Sequence, residues 1–67
     1  MTKIEALKAL DDGHRITHST FTEKEWVKVS GDMYEFEDGI RCYPFEFWLD
    51  RSYANWEESW ELFEEKL

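Results

Sequence analysis

Arg15 stands between His14 and His18 in the stretch DGHRITHSTF, residues 12–21. The pair of imidazoles invites a metal reading. A structural zinc site needs four nitrogen or sulfur donors at characteristic spacing. His14, His18 and the distant Cys42 leave the fourth position without an obvious ligand, so no metal site is expected. Cys42 as a nucleophile would need a neighbouring base and an oxyanion hole. The hairpin register read below sets it opposite Glu35, whose charge opposes thiolate formation. The runs EFED (35–38) and EESWELFEE (57–65) are the densest in carboxylates, yet no D-x-D-x-D-G loop organises them for Mg²⁺ or Ca²⁺. They read as a solvated acidic face. Gly13, Gly31 and Gly39 are isolated, so no phosphate loop exists. These absences argue against an enzyme and against a cofactor.

The whole net charge of −8 lies in one half of the chain. In residues 1–31 five basic and five acidic residues cancel, whereas residues 32–67 hold three basic against eleven acidic. Such a surface repels nucleic acid at long range and attracts a basic patch on a protein. Direct nucleic-acid binding is therefore not expected. No stretch approaches the ~20 apolar residues of a membrane span, and no signal peptide is seen. With one cysteine, this fits a cytoplasmic protein.

Sixty-seven residues make a single domain, 1–67, which buries only ~60% of its unfolded surface. A lone cysteine excludes a disulfide within one chain. Stability must come from a very well packed core or from homo-oligomerisation. Four Trp, three Tyr and five Phe are more than one small core is expected to hide, so some should cover a partner or a ligand.

The elements that position these groups can be read locally. TKIEALKALDDG predicts a helix: Thr2 and Glu5 form a capping box, Ile4, Leu7 and Leu10 with Ala6 an apolar stripe, and Gly13 a stop. HRITH alternates, with His14, Ile16 and His18 on one face and Arg15 and Thr17 on the other. WVKV (26–29) predicts a second strand, with Val27 and Val29 opposite Trp26 and Lys28. Asp38-Gly39 between two alternating runs predicts a two-residue hairpin turn. That register pairs Phe36 with Arg41, Glu35 with Cys42 and Tyr34 with Tyr43. It sets Arg41 among Tyr34, Phe36 and Tyr43, either as cation–π packing or as part of a binding surface. Pro44 opens a short helical turn over 44–49, and 50–58 reads as a surface loop. In NWEESWELFEEKL, Trp56, Trp60, Phe63 and Leu67 fall at helical spacing. The same segment also alternates as a strand, but the local pattern favours helix.

EALKALDDGHRITHSTF resembles the opening of a group of small bacteriophage proteins, a helix of the type EALxxLxxG followed by a strand xxVxRxxW. Glu5, Ala6, Leu7, Leu10 and Gly13 match the helix and its stop. Ile16 stands at the valine, His18 at the basic position and Phe21 at the tryptophan. EWVKV (25–29) resembles the strand that follows, and SWELFEE (59–65) the closing strand. The resemblance covers roughly the first 29 residues and the last nine, with a shorter middle. It implies a strand over 59–64. Members include Thoeris-inhibiting anti-defence proteins, which sequester a nucleotide-derived immune signal, and an anti-CRISPR-like relative.

The expected fold is α+β: an N-terminal helix packed on a small, mainly antiparallel sheet of four to five short strands. Two functions follow. In the first, a phage accessory protein binds a nucleotide-derived ligand through Arg15, His18, Phe21 and Trp26, with Arg41 as a further candidate; Arg suits phosphate through its bidentate fork. In the second, an acidic inhibitor covers a basic site on a host protein through Glu35, Glu37, Asp38, Glu57, Glu58, Glu61 and Glu64. A plainer alternative places His18 and Phe21 in the core and pairs Arg15 and His14 with local acids.

Overall fold

A computed structural model describes residues 1–64. Leu67, which completes the helical spacing noted above, lies outside the described residues. The chain runs α1 (Lys3–Asp11), β1 (Ile16–His18), β2 (Val27–Ser30), β3 (Met33–Phe36), β4 (Arg41–Cys42), α2 (Pro44–Leu49), a 3₁₀ turn (Ala54–Trp56) and β5 (Trp60–Leu62). The architecture is α+β. All strands join one antiparallel sheet in the order β4-β3-β2-β1-β5. The N-terminal helix contacts β5, β1 and β2, and α2 contacts β3. Among the described residues no helix is long and apolar enough to cross a membrane.

The capping box of α1 is formed. Thr2 Oγ1 accepts the Glu5 amide at 3.2 Å, and Glu5 Oε1 accepts the Thr2 amide at 2.9 Å. The Thr2 backbone N–H, then its hydroxyl, hold the Glu5 carboxyl below the usual range. Gly13 ends the helix with φ +89°, the left-handed conformation a glycine adopts without strain. The buried stripe differs from the predicted one. Ala6, Ala9 and Leu10 face the sheet, whereas Ile4 is 78% exposed. Two small alanines let the helix axis approach strands that carry bulky aromatics.

The core is built around Trp60, which is fully buried with Ala6, Ile16 and Val27. Its ring meets Trp48 at 5.3 Å, Trp56 at 5.8 Å and Phe47 at 6.2 Å. Its Nε1 donates to the Trp56 carbonyl at 2.7 Å. The segment that helical spacing would coil is thus a strand: Trp60, Glu61 and Leu62 lie opposite His18, Thr17 and Ile16. As a strand it supplies β1 with a second partner and buries one large ring. The 50–58 connection contains the 3₁₀ turn, and its Trp56 packs against the core rather than lying on the surface.

The hairpin register is one residue away from the expected one. Tyr34 faces Cys42, and Glu35 faces Arg41. The Phe36 amide donates to the Ile40 carbonyl at 2.8 Å, so Glu37, Asp38 and Gly39 form a three-residue loop. A two-residue turn would need positive φ at both Asp38 and Gly39. The longer loop needs positive φ at Gly39 alone, which shows +87°, and Asp38 Oδ1 accepts the Ile40 amide at 3.0 Å. A one-residue slip moves every β4 side chain to the other face. Arg41 therefore leaves the aromatics Tyr34 and Phe36 and bonds Glu35 at 3.0 Å. Cys42 joins Tyr34 on the core side. Burial, and then the charge of Glu46 rather than Glu35, pushes its thiol up.

Candidate ligand groove on the helix-free face

Strand alternation divides the sheet into two unlike faces. Ile16, His18, Val27, Tyr34 and Trp60 point toward the helices and are buried. Thr17, Trp26, Lys28, Glu35 and Glu61 alternate with them and are half-buried or exposed. A groove of about 870 Å³ runs on this second side, between the arch from β1 to β2 and the end of β5. Phe21, Trp26 and Phe63 supply its aromatic walls, and Thr17, Thr22 and Lys24 supply polar groups. The arch is held by local turns. Thr22 accepts the Glu25 amide at 3.1 Å through its carbonyl, and its own amide donates to Glu25 Oε1 at 3.1 Å.

Three of the five predicted ligand residues, His18, Phe21 and Trp26, line this groove. Arg15 lies beside it, with its guanidinium 5.2 Å from the Trp26 ring centre and 5.9 Å from that of Phe63. Lys28 Nζ is 5.7 Å from the Trp26 ring. Cation–π attraction thus orders the aromatic wall from its own chain. Arg41 is elsewhere, on β4 at the opposite edge of the sheet from β5. Phe63 is the wall residue that sequence reasoning did not select. Its alternation with Trp60 and Leu62 was the available signal, and it becomes informative once β5 is a strand.

His18 borders the groove but belongs to the core, 3% exposed. Its Nδ1 accepts the Thr20 amide at 3.1 Å and lies 3.0 Å from the Thr20 hydroxyl. Nε2 lies 2.8 Å from the Glu58 carbonyl and 3.1 Å from the Asn55 carbonyl. An amide hydrogen can only meet a bare ring nitrogen, so the neutral ring carries its proton on Nε2 and donates it to the two carbonyls. The ring also packs on Trp56 at 4.4 Å and Trp60 at 4.7 Å. His18 therefore fastens the 55–58 segment to β1. His14, two residues before Ile16, is exposed.

The predicted acidic residues do not gather in one place. Glu35, Glu37 and Asp38 lie on β3 and its hairpin loop, near one edge of the sheet. Glu57, Glu58, Glu61 and Glu64 lie on and around β5 at the other edge, and all four are exposed. Glu61 and Glu64, with Glu23, also line the groove and oppose Lys24. No family model matches the chain, and neither does a curated protein or a solved structure.

Proposed function

We propose that this is a small cytoplasmic binding protein, of the phage accessory kind, that sequesters a nucleotide-derived ligand in the groove. The observation that carries the reading is the convergence of Phe21, Trp26 and Phe63 on one open concave site beside the Arg15 guanidinium. Three carboxylates against one lysine in the lining disfavour a ligand with many phosphates. Stacking of a base on the aromatic walls, rather than phosphate capture, supplies the affinity; such stacking contributes ~1–3 kcal/mol per base. A thermal-shift series with adenosine, cyclic nucleotides and ADP-ribose tests this. A ligand at ~100 times its dissociation constant stabilises by ~2.7 kcal/mol, several degrees for a domain this small. The Trp26→Ala variant is expected to bind about 5- to 150-fold more weakly. A flat panel, or binding that Trp26→Ala leaves unchanged, removes the groove as a nucleotide site.

The exposed carboxylates around β5 favour a second reading, an inhibitor that covers a basic site on a host nucleic-acid enzyme. Glu57, Glu58, Glu61 and Glu64 fall within eight residues and all face solvent. Binding of that kind weakens steeply with salt. Replacing the four with glutamine should slow association with a basic protein and flatten its salt dependence. An unchanged association rate would reject this surface.

A further inference from the structure

The outer side of α2 carries two parallel stripes of opposite character. Phe47 and Trp48 turn into the core, where Trp48 Nε1 donates to Tyr34 Oη at 2.9 Å. Phe45 and Leu49, four residues apart and so adjacent on the helix surface, are 70% and 71% exposed. Tyr43, immediately before the helix, is 47% exposed and stacks on Phe45 with ring centres 6.1 Å apart and planes 14° apart. These three side chains form one apolar strip in water. Glu46 and Asp50, also four apart and both exposed, run alongside it.

The nearby cations point mainly at other groups, although Asp50 is the strongest charge felt by Arg51. Arg51 is the sole basic residue between 42 and 58. Its guanidinium sits 4.0 Å from the Phe47 ring centre and donates to the Phe47 carbonyl at 3.1 Å. Arg41 is bonded to Glu35. The strip is therefore an aromatic and aliphatic surface with an acidic border. Exposed aromatics rimmed by charge mark interfaces, and aromatic anchors dominate their energetics.

The charges select the occupant. A second copy would set the same patch against itself in a two-fold dimer. With the helices antiparallel that would set the Glu46 and Asp50 stripes against each other, and in any orientation it would join two chains that each carry −8; like-charge juxtaposition is costly. A segment with an apolar face flanked by Lys or Arg satisfies both stripes at once. We infer that Tyr43, Phe45 and Leu49, with Glu46 and Asp50, form a docking strip for a basic amphipathic segment of a partner protein. The strip belongs to neither the groove nor the β5 carboxylates, so it stands or falls independently of them.

An amide-resolved NMR titration with a synthetic leucine- and lysine-patterned amphipathic helix tests the inference. Perturbations should centre on Tyr43, Phe45, Glu46, Leu49 and Asp50 and weaken from low to high salt. The double variant Phe45→Ala/Leu49→Ala removes only exposed side chains and should keep the native spectrum while binding about tenfold more weakly. Glu46→Gln/Asp50→Asn should flatten the salt dependence. Perturbations spread over every acidic segment, or affinity indifferent to Phe45→Ala/Leu49→Ala, would overturn the strip as a specific site. Self-association abolished by that double variant would also overturn it, because the occupant would then be a second copy.

Discussion

Trp60→Ala is expected to unfold the domain at room temperature or to leave it barely folded. Trp60 is fully buried, and its ring meets His18, Phe21, Phe47, Trp48 and Trp56. Truncating a buried Trp costs ~3–5 kcal/mol, the transfer energy plus the cavity left behind. A chain of this length has a total stability of roughly 3–10 kcal/mol. The substitution therefore removes a large fraction of it. Collapse of the cavity offers little relief, because the neighbours come from α1, α2, β1 and the 3₁₀ turn and cannot all close in together. Circular dichroism on heating should show either no cooperative transition or a Tm lowered by ~15 °C or more. Trp60→Phe separates packing from hydrogen bonding. It keeps a ring but strands the Trp56 carbonyl, and should fall between the two. A Tm within a few degrees of the native one for Trp60→Ala would mean that the core lies elsewhere.

His18→Ala is expected to destabilise by about 2–4 kcal/mol, and to do so without any ligand present. The imidazole fills core space and satisfies groups on two separate segments: Thr20 on its own strand end, and Asn55 and Glu58 across the fold. Its removal opens a cavity in the core and takes a partner from the part-buried Thr20 amide and the Asn55 and Glu58 carbonyls. His14→Ala is the control. His14 is exposed, and the change should stay within ~0.5 kcal/mol. Urea denaturation of the two variants gives the comparison directly. The outcome also bears on function. If His18→Ala keeps native stability but loses nucleotide binding, the ring is a ligand group and its hydrogen bonds are dispensable. If it loses stability, weakened binding by that variant says nothing about contact with the ligand, and Trp26→Ala becomes the informative substitution.

These expectations differ for two histidines only four residues apart. Alternation about Ile16 predicted both on one strand face, but β1 begins at Ile16, so of the two only His18 lies on it. The segment leading into β5 completes the distinction. It covers His18 with Trp56, Trp60 and two carbonyls and leaves His14 in solvent. The plainer alternative, packing in the core, matches the burial of His18, whereas Phe21 is only partly buried, packed against the core cluster and lining the groove as well. The groove was legible in part. Its arch aromatics Phe21 and Trp26 were selected, whereas Phe63 was not; the strand over 59–64 that the resemblance implied is present at 60–62, but local spacing pointed to a helix.

Local chemistry was sufficient for the elements whose determinants are contiguous. Thr2 and Glu5 cap α1 because the two side chains and amides are within one turn. Gly13 stops it because a left-handed residue is needed there. Pro44 starts α2 because a missing N–H costs nothing at a first helical position. Hydrophobic alternation also made β1, β2 and β3 readable, and with them the α+β class. The tertiary structure alone decided the remaining features. The helical stripe that faces inward is the one whose small Ala6 and Ala9 accommodate Trp60, not the more hydrophobic one that includes Ile4. The hairpin register followed from placing Cys42 rather than Arg41 against the core, together with a loop that demands positive φ of one residue instead of two. The fate of residues 60–62 was settled by β1, which needed a second hydrogen-bonded neighbour. Each of these is a choice between nearly equal local options, and contacts distant in sequence tip it. That is why the sequence alone established the elements whose determinants are contiguous, and only the packed chain established β5 and which side chains meet.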